Sequence, residues 1–545
     1  MPEPEPAPPA PPAPAAPEPA VPPPPPPPST PWRPATRPIE RGMPRWLRVG
    51  VPLVIFVAAF GFYQFQVDHP PIIVFDEAHY VKVARNYTRG VLVDPAWGDP
   101  RPQNFEHPPL AKYLIAAGIY LNGKPHDDWE NQQYITKLCG HDNEECRQDA
   151  WGWRLASTVV GASGIAAAYL LGLRLFNRVA AGVFVAGLLA LDGLYYMHAR
   201  LAMLDIFPTA FTIWAFALTL SPWKRGPWLG AILYGFALAS KGYALFMLPA
   251  FVLVQFIRAG APRWREPPAA APAVDPVTGQ TTNRVDLYET LAAAWHPARP
   301  WVARLGKTVL FSMIVPFLAL LATYAPYFVL WTQMKGPGYA IEEWFFVQIA
   351  AFRWDFAGKA THPFSSAPVT WIPMIRPVFY YTLDYPSGLV GKMYSLGNPF
   401  LWWTATLGAV AVPILVLVRF FRERRHFLRL AFLDHFVWYP FALSRDLHML
   451  VATLLVFSAY VPWFLIQRIT FIFYMTPVVP TFAVLAGGLL GEQWDRGGFP
   501  RVLTILYGTV ALATFGIFFP IYSGAPIPRE HFDWIMSLIP WMAWR

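Results

Sequence analysis

Residues 46–66 read WLRVGVPLVIFVAAFGFYQFQ, and residues 67–80, VDHPPIIVFDEAHY, follow directly. The first stretch carries a single charge, Arg48, and is long enough to cross the ~30 Å hydrocarbon core of a bilayer as a helix. The second opens with polar residues and a Pro-Pro pair and then sets two acids, Asp76 and Glu77, side by side at the mouth of that span. Such acids either cap a solvated interfacial helix or form the working end of an enzyme, and the rest of the chain decides between the two.

The same apolar pattern recurs. The 545 residues are 55% hydrophobic and only 14% charged, against roughly 25% charged in soluble proteins. Apolar runs lie near 46–66, 153–173, 179–197, 203–220, 227–241, 243–258, 307–331, 399–419, 446–465, 471–490 and 503–522. They lack strand-like alternation, so the sequence predicts an all-α polytopic membrane protein with about eleven transmembrane helices. The segment before the ninth run, DHFVWYPFALSRDLH, mixes charge with aromatics and reads as interfacial.

A net charge of +9 raises the question of nucleic acid. The basic residues instead cluster between spans, as in RFFRERRHFLR at 419–429 and in 33–48, where the positive-inside rule expects them. No nucleic-acid partner is expected. With the N-terminus inside, segments 33–48, 174–178, 221–226, 258–307, 419–429 and 491–502 hold about 23 of the 43 Lys and Arg, which supports a cytoplasmic N-terminus and an extracytoplasmic C-terminus. Residues 1–38 are a Pro-rich cytoplasmic tail that cannot bury apolar surface and reads as disordered. The membrane domain then runs over 39–523, with a first outer loop at 67–152, a cytoplasmic loop at 259–306 and a second large outer loop at 332–398. An outer tail occupies 524–545. Short apolar segments in the outer loops, such as LAKYLIAAGIYL at 110–121, read as interfacial helices. Cys139 and Cys146 share the first outer loop, where a disulfide is open to them, and their spacing makes a poor zinc site.

Ionisable groups near membrane depth need a reason, because each costs at least ~2.5–3.5 kcal/mol at a helix centre. Arg154, Arg200, Asp205, Lys241 and Arg468 all fall at or near the outer boundary in this topology, as do His107, Lys112 and the acid pair. Any one cation can be a snorkelling side chain. Together, cations at the outer leaflet suit a lipid-linked phosphate and the acids suit a proton acceptor. Asp76 reads as the N-cap or first residue of the following helix, and Glu77 points about 100° away, so at most one of the two caps it.

The blocks FDEAHYVKVAR (75–85), EHPPLAKYLIAAG (106–118), LDGLYYMHARLAMLDIF (191–207), THPFSSAPVTWIPMIRPVFYY (361–381), LGNPFLWW (396–403) and RITFIFYMTPVVP (468–480) resemble the bacterial protein O-mannosyltransferases, multi-span glycosyltransferases that use polyprenyl-phosphate sugars. They recur in family order. The resemblance implies inverting transfer of mannose from polyprenyl-phosphate mannose to Ser/Thr hydroxyls of translocated polypeptides. In that reading Asp76 is the general base and Glu77 helps position acceptor or sugar. Arg154 binds the donor phosphate, with His107, Lys112, Arg200, Lys241 and Arg468 shaping the phosphate and lipid site. Asp205, His362, Arg376 and Asn398 are the candidates on the acceptor and sugar side. No metal and no cofactor is expected, since the lipid-linked donor is itself a substrate. The expected partners are that donor, membrane lipid, the translocated polypeptides and the protein-export machinery, at the cell membrane. Gly242 departs from the family pattern, which usually has Trp there. The competing readings are transfer of a lipid-linked sugar to a lipid or cell-envelope glycan, and a transporter. The chain shows no internal repeat and its acids lie outside the core, against a transporter.

Overall fold

The computed structural model describes residues 39–93, 101–122, 144–260, 273–274, 281–282, 300–358, 360–385, 387–422 and 445–542. The readings on the Pro-rich tail, on Cys139, on most of the 259–306 loop and on most of the DHFVWYPFALSRDLH segment lie outside these residues, and the side chain of Cys146 is likewise not described.

Among the described residues the fold is helical. Seven helices are long and apolar enough to cross a membrane, and a bent pair makes an eighth. Three shorter apolar helices, Leu110–Leu121, Ile206–Thr219 and Gly226–Leu238, accompany them. All eleven apolar runs coincide with helical segments, but length and composition alone do not turn each into a crossing. The helix Arg45–Gln64 is mostly exposed, with Val49, Leu53, Val54 and Val57 facing outward, whereas Ala150–Phe176 is mostly buried at the centre. The first presents an apolar face along its length, as a lipid-facing span does; the second is the post around which the others pack.

Close helix approach uses small residues, as expected where lipid tails offer no hydrophobic contrast. A Cβ at Gly487 would lie 2.5 Å from Val185 and one at Gly491 2.6 Å from Ala181, so the helices Val179–Ala190 and Val479–Arg496 touch backbone to backbone.

The run expected at 179–197 is not one helix. It breaks between Val179–Ala190 and Gly193–Arg200 with a bend of 68°. Asp192 explains the break. Its Oδ1 accepts from the backbone N–H of Leu194 and Tyr195, capping the second helix, while its Oδ2 accepts from Asn398 N and Trp402 Nε1. A buried carboxylate with four donors restarts the helix in a new direction. The run expected at 307–331 also divides, through a π-helical turn at Leu310–Ile314 and a new start at Ala325–Lys335 with Pro326 in its first turn.

The segment 332–398, expected as a second outer loop with interfacial helices, also holds strands. It contains the helix Pro337–Ala357, followed by strand Val378–Asp384 antiparallel to Leu389–Ser395, with an irregularity between Phe379 and Tyr381. Gly388, at φ +81, closes the turn. Ile527–Pro528 adds a third strand against Leu389–Val390, joining the C-terminal segment to this loop.

The polar segments sort onto two ends. Ile39 N donates to Asn177 Oδ1, Arg41 to Pro222 O, Arg174 pairs with Glu40, and Arg178 with Asp495, bringing 39–42, 174–178, 221–223 and 495 together. At the other end of the first span, His69 meets Gly524 O and Arg529 pairs with Asp384.

Candidate active site

Asp76 sits at the N-cap position of the helix Glu77–Thr88, but its side chain accepts no capping hydrogen bond. It is half-buried, and its Oδ2 accepts from Tyr80 OH at 3.3 Å. The preceding Phe75 adopts φ +48, a left-handed conformation that is strained for a bulky aromatic. Ring packing pins it there. Phe75 stacks on Tyr380 at 5.0 Å and meets Phe473 and His362 edge-on. The Asp76 carboxylate that follows meets the helix through the Tyr80 hydroxyl and not through its backbone N–H groups.

Glu77 has the opposite environment. It is fully buried and its carboxylate receives four donors: Arg154 Nε and Nη2, both at 2.9 Å, Val74 N and Ala202 N. Arg154 is equally buried. Besides its two bonds to Glu77 it donates to the carbonyls of Val67, Pro70 and Ile72, which accounts for all five guanidinium N–H groups. In this arrangement Arg154 has no donor left for a phosphate, and Glu77 no oxygen left for an acceptor or sugar. In this structure the pair instead ties the turn 67–77, which carries Asp76, to the central helix.

Three further expectations meet the same physical objection. Lys112 is buried and donates its three N–H groups to the carbonyls of Gln103, Asn104 and His107. Arg200 donates to the carbonyls of Tyr63, Phe65 and Gln66 and to Tyr196 OH, closing off the end of the first span. Asn398 donates to Leu191 O and Ala511 O, bracing the helix break at Asp192. These side chains hold backbone. Arg376 is exposed and donates to Ser365 O.

The remaining candidates converge. Lys241 donates to both oxygens of Asp205 at 3.0 Å and lies over the rings of Tyr243, Tyr474 and Phe473. Arg468 pairs with Asp355 at 3.1 Å and packs on Tyr474. His362 belongs to the ring cluster around Phe75. His107 packs against Tyr80, and its Nδ1 has no partner among the described residues. Burial, with Lys241, Lys112 and Arg468 pushing the same way, holds the His107 imidazole well below its ordinary value. It is therefore neutral at pH 7, a hydrogen-bonding group rather than a cation.

Lys241, Arg468, Glu106 and Asp355 form the polar end of a cavity of about 710 Å³. Its other walls are mostly apolar, including Leu245, Phe246, Ile314, Phe317 and Phe352. That shape suits an amphiphile with a long hydrocarbon tail and an anionic head. Asp355, Glu106, Tyr80, Tyr380 and His198 were not singled out as site residues from sequence. Asp355 had a legible signal, an acid inside the aromatic helix end FRWDF. His198, buried and bonded to Tyr380 OH at 3.0 Å, had only its place in a recognised block.

Burial raises the Asp76 carboxyl above its ordinary value; the Lys241 cation opposes this and the Asp205 carboxylate adds to it. A base works only when deprotonated, so activity should be full above the raised pKa and lost as pH falls through it. The acid limb of kcat/KM is expected above the ordinary carboxylate value of about 3.9. A pH–rate profile flat down to that value would contradict the assignment.

Two family profiles match the chain. One, described as dolichyl-phosphate-mannose-protein mannosyltransferase, covers residues 53–332. The other, the C-terminal four-span region of protein O-mannosyltransferase, covers 340–541. A polyprenol-phosphate-mannose–protein mannosyltransferase of Mycobacterium tuberculosis is 24% identical over 518 residues, with 86% of each chain covered. One of the same name from Corynebacterium glutamicum is 25% identical, covering 87% of this chain and 88% of that one. Among solved structures, a chain of the S. cerevisiae protein O-mannosyltransferase complex bound to the sugar donor superimposes with a TM-score of 0.68 at 13% identity, over 89% of this chain and 92% of that one.

Proposed function

The chain belongs to the dolichyl-phosphate-mannose-protein mannosyltransferase family, and from that premise we propose that it moves mannose from polyprenyl-phosphate mannose to Ser or Thr hydroxyls of translocated polypeptides, with inversion, on the outer face of the cell membrane. The observation that carries this reading is the split between the adjacent acids. Glu77 is fully bonded, while Asp76, set after a strained turn, accepts from Tyr80 OH alone among the described residues and lies within electrostatic reach of Lys241, which lines a cavity fit for a lipid phosphate.

In this mechanism the acceptor hydroxyl gives its proton to Asp76 as its oxygen forms a bond to mannose C1. The bond from C1 to the phosphate oxygen breaks on the opposite face, and polyprenyl phosphate leaves with both electrons of that bond. A β-linked donor then yields an α-linked product. Lys241 and Arg468 stabilise the charge developing on the leaving phosphate. Arg154 and Glu77 fix the turn that carries the base. Neutral His107 and the rings of Phe75, Tyr380 and His362 line the space available to sugar and acceptor. The N-terminus lies in the cytoplasm and the C-terminal tail outside, consistent with the charge distribution along the chain.

The test is transfer of label from polyprenyl-phosphate mannose to a Thr/Pro-rich peptide by membranes containing this chain. Arg468→Ala is expected to raise the KM for donor about 10–100-fold, as loss of a charge-assisted contact would, and to leave the KM for peptide unchanged. Label appearing in lipid or glycan and never in peptide would replace this acceptor with the other class.

A further inference from the structure

The cations at the polar end of the cavity are already paired. Arg468 lies 3.1 Å from Asp355, and Lys241 bonds Asp205 through both carboxylate oxygens. Glu106 adds a further acid to the same lining. A site built only to grip an anion would not set a carboxylate on each of its cations.

The Asp355–Arg468 arrangement is also specifically accommodated. Gln467 N donates to Phe356 O at 3.1 Å, tying the segment that carries Arg468 to the end of the helix Pro337–Ala357. At residue 242 even a Cβ would approach Asp355 Oδ2 to 2.9 Å, so Gly242 leaves the room that this carboxylate occupies. Arg468 Nε has no partner among the described residues and Arg468 lines the cavity, so the guanidinium keeps a donor for an incoming ligand.

Charge bookkeeping on the ligand gives this pairing a purpose, granted the function proposed above. The donor is a phosphodiester with one negative charge. Transfer breaks its C1–O bond, and the polyprenyl phosphate left behind is a monoester carrying ≈ −1.5 to −2 at pH 7. An uncompensated pair of cations would hold the product more tightly than the substrate, and turnover would stall on release.

We propose that Asp355 is a positioning residue for product release: it competes with the lipid phosphate for Arg468 and repels the monoester more strongly than the diester. It neither touches the reacting atoms nor takes a proton. When donor binds, its phosphate displaces Asp355 from Arg468; after transfer the carboxylate returns to the guanidinium as the more highly charged product departs.

The experiment uses the full-length protein in lipid nanodiscs and measures binding of undecaprenyl monophosphate and, separately, of undecaprenyl-phosphate mannose. In Asp355→Asn, which conserves shape, monophosphate affinity should rise about tenfold and donor affinity only about threefold, in proportion to their charges. Steady-state turnover should fall below the rate of the first turnover, giving a burst of product. Asp355→Glu, which keeps the charge, should bind and turn over like the natural protein. A thermal melt of each variant separates these effects from loss of fold. Unchanged or weaker monophosphate binding in Asp355→Asn, or equal tightening of both ligands, would overturn the inference while leaving the mannosyltransfer reading intact. Natural protein that bound neither ligand would overturn the lipid-phosphate reading and this inference with it.

Discussion

Asp76→Asn should lower kcat by about 10²–10⁴, the usual contribution of a general base, with donor affinity and thermal stability close to those of the natural protein. The substitution is nearly isosteric, and an Asn carbonyl oxygen can still accept from Tyr80 OH. What it cannot do is take the proton of an attacking hydroxyl, and a neutral serine or threonine is a poor nucleophile without that transfer. Because Asp76 caps no backbone N–H, its replacement leaves the helix start unaltered, and Phe75 keeps its ring contacts with Tyr380 and Phe473. The loss should therefore appear in single-turnover rate and not in donor binding, and the residual rate should lose the acid limb of the natural protein. Transfer by Asp76→Asn at the natural rate would remove Asp76 from the mechanism. A parallel fall in melting temperature would instead make it a structural acid.

The sequence shows why this acid is identifiable as one of a pair but not by its role. Two adjacent residues at a helix start cannot both cap it, so at least one carboxylate is free. Which one depends on Arg154 and Ala202, 77 and 125 residues further along the chain, and on a left-handed Phe75 that no local preference would suggest. The spans are more legible, since roughly twenty apolar residues have few places to go other than the bilayer. Their breaks are less so. LALDGLYY reads as uninterrupted hydropathy, although Asp192 before Gly193 is a helix-start signal; its weight comes from Asn398 and Trp402, which make a buried carboxylate tolerable there. The hairpin over 378–395 is not legible, because aromatic side chains such as Tyr380 and Tyr381 fit a sheet and an interfacial helix equally well. The environment of the cations is hidden for a related reason. Composition places Arg200 and Lys112 near the site but cannot reveal that backbone carbonyls already surround them.

Arg154 provides the sharpest contrast between a ligand-gripping cation and a structural one. A phosphate-binding role predicts that its loss weakens donor binding in a protein that remains folded. The geometry predicts a loss of fold. Removing the guanidinium would strand Glu77 as a buried charge and leave the carbonyls of Val67, Pro70 and Ile72 without a donor. Breaking a buried ion pair from one side costs about 3–5 kcal/mol, a large part of the stability of a typical domain. Arg154→Ala should therefore melt well below the natural protein in nanodiscs. Arg154→Lys should recover little, because an ammonium has three donors, not a five-donor planar fork. Glu77→Ala should cost a similar amount, and the double variant much less than the two losses summed, since each single change leaves a charge that the other removes. Activity should fall with stability: the turn held by this pair carries Asp76, and a displacement of about 1 Å at a reacting group can cost 10²-fold in rate. If Arg154→Ala melted like the natural protein and lost only donor affinity, the guanidinium would have to leave Glu77 during the reaction, and the fixed platform for the base would be a resting state only.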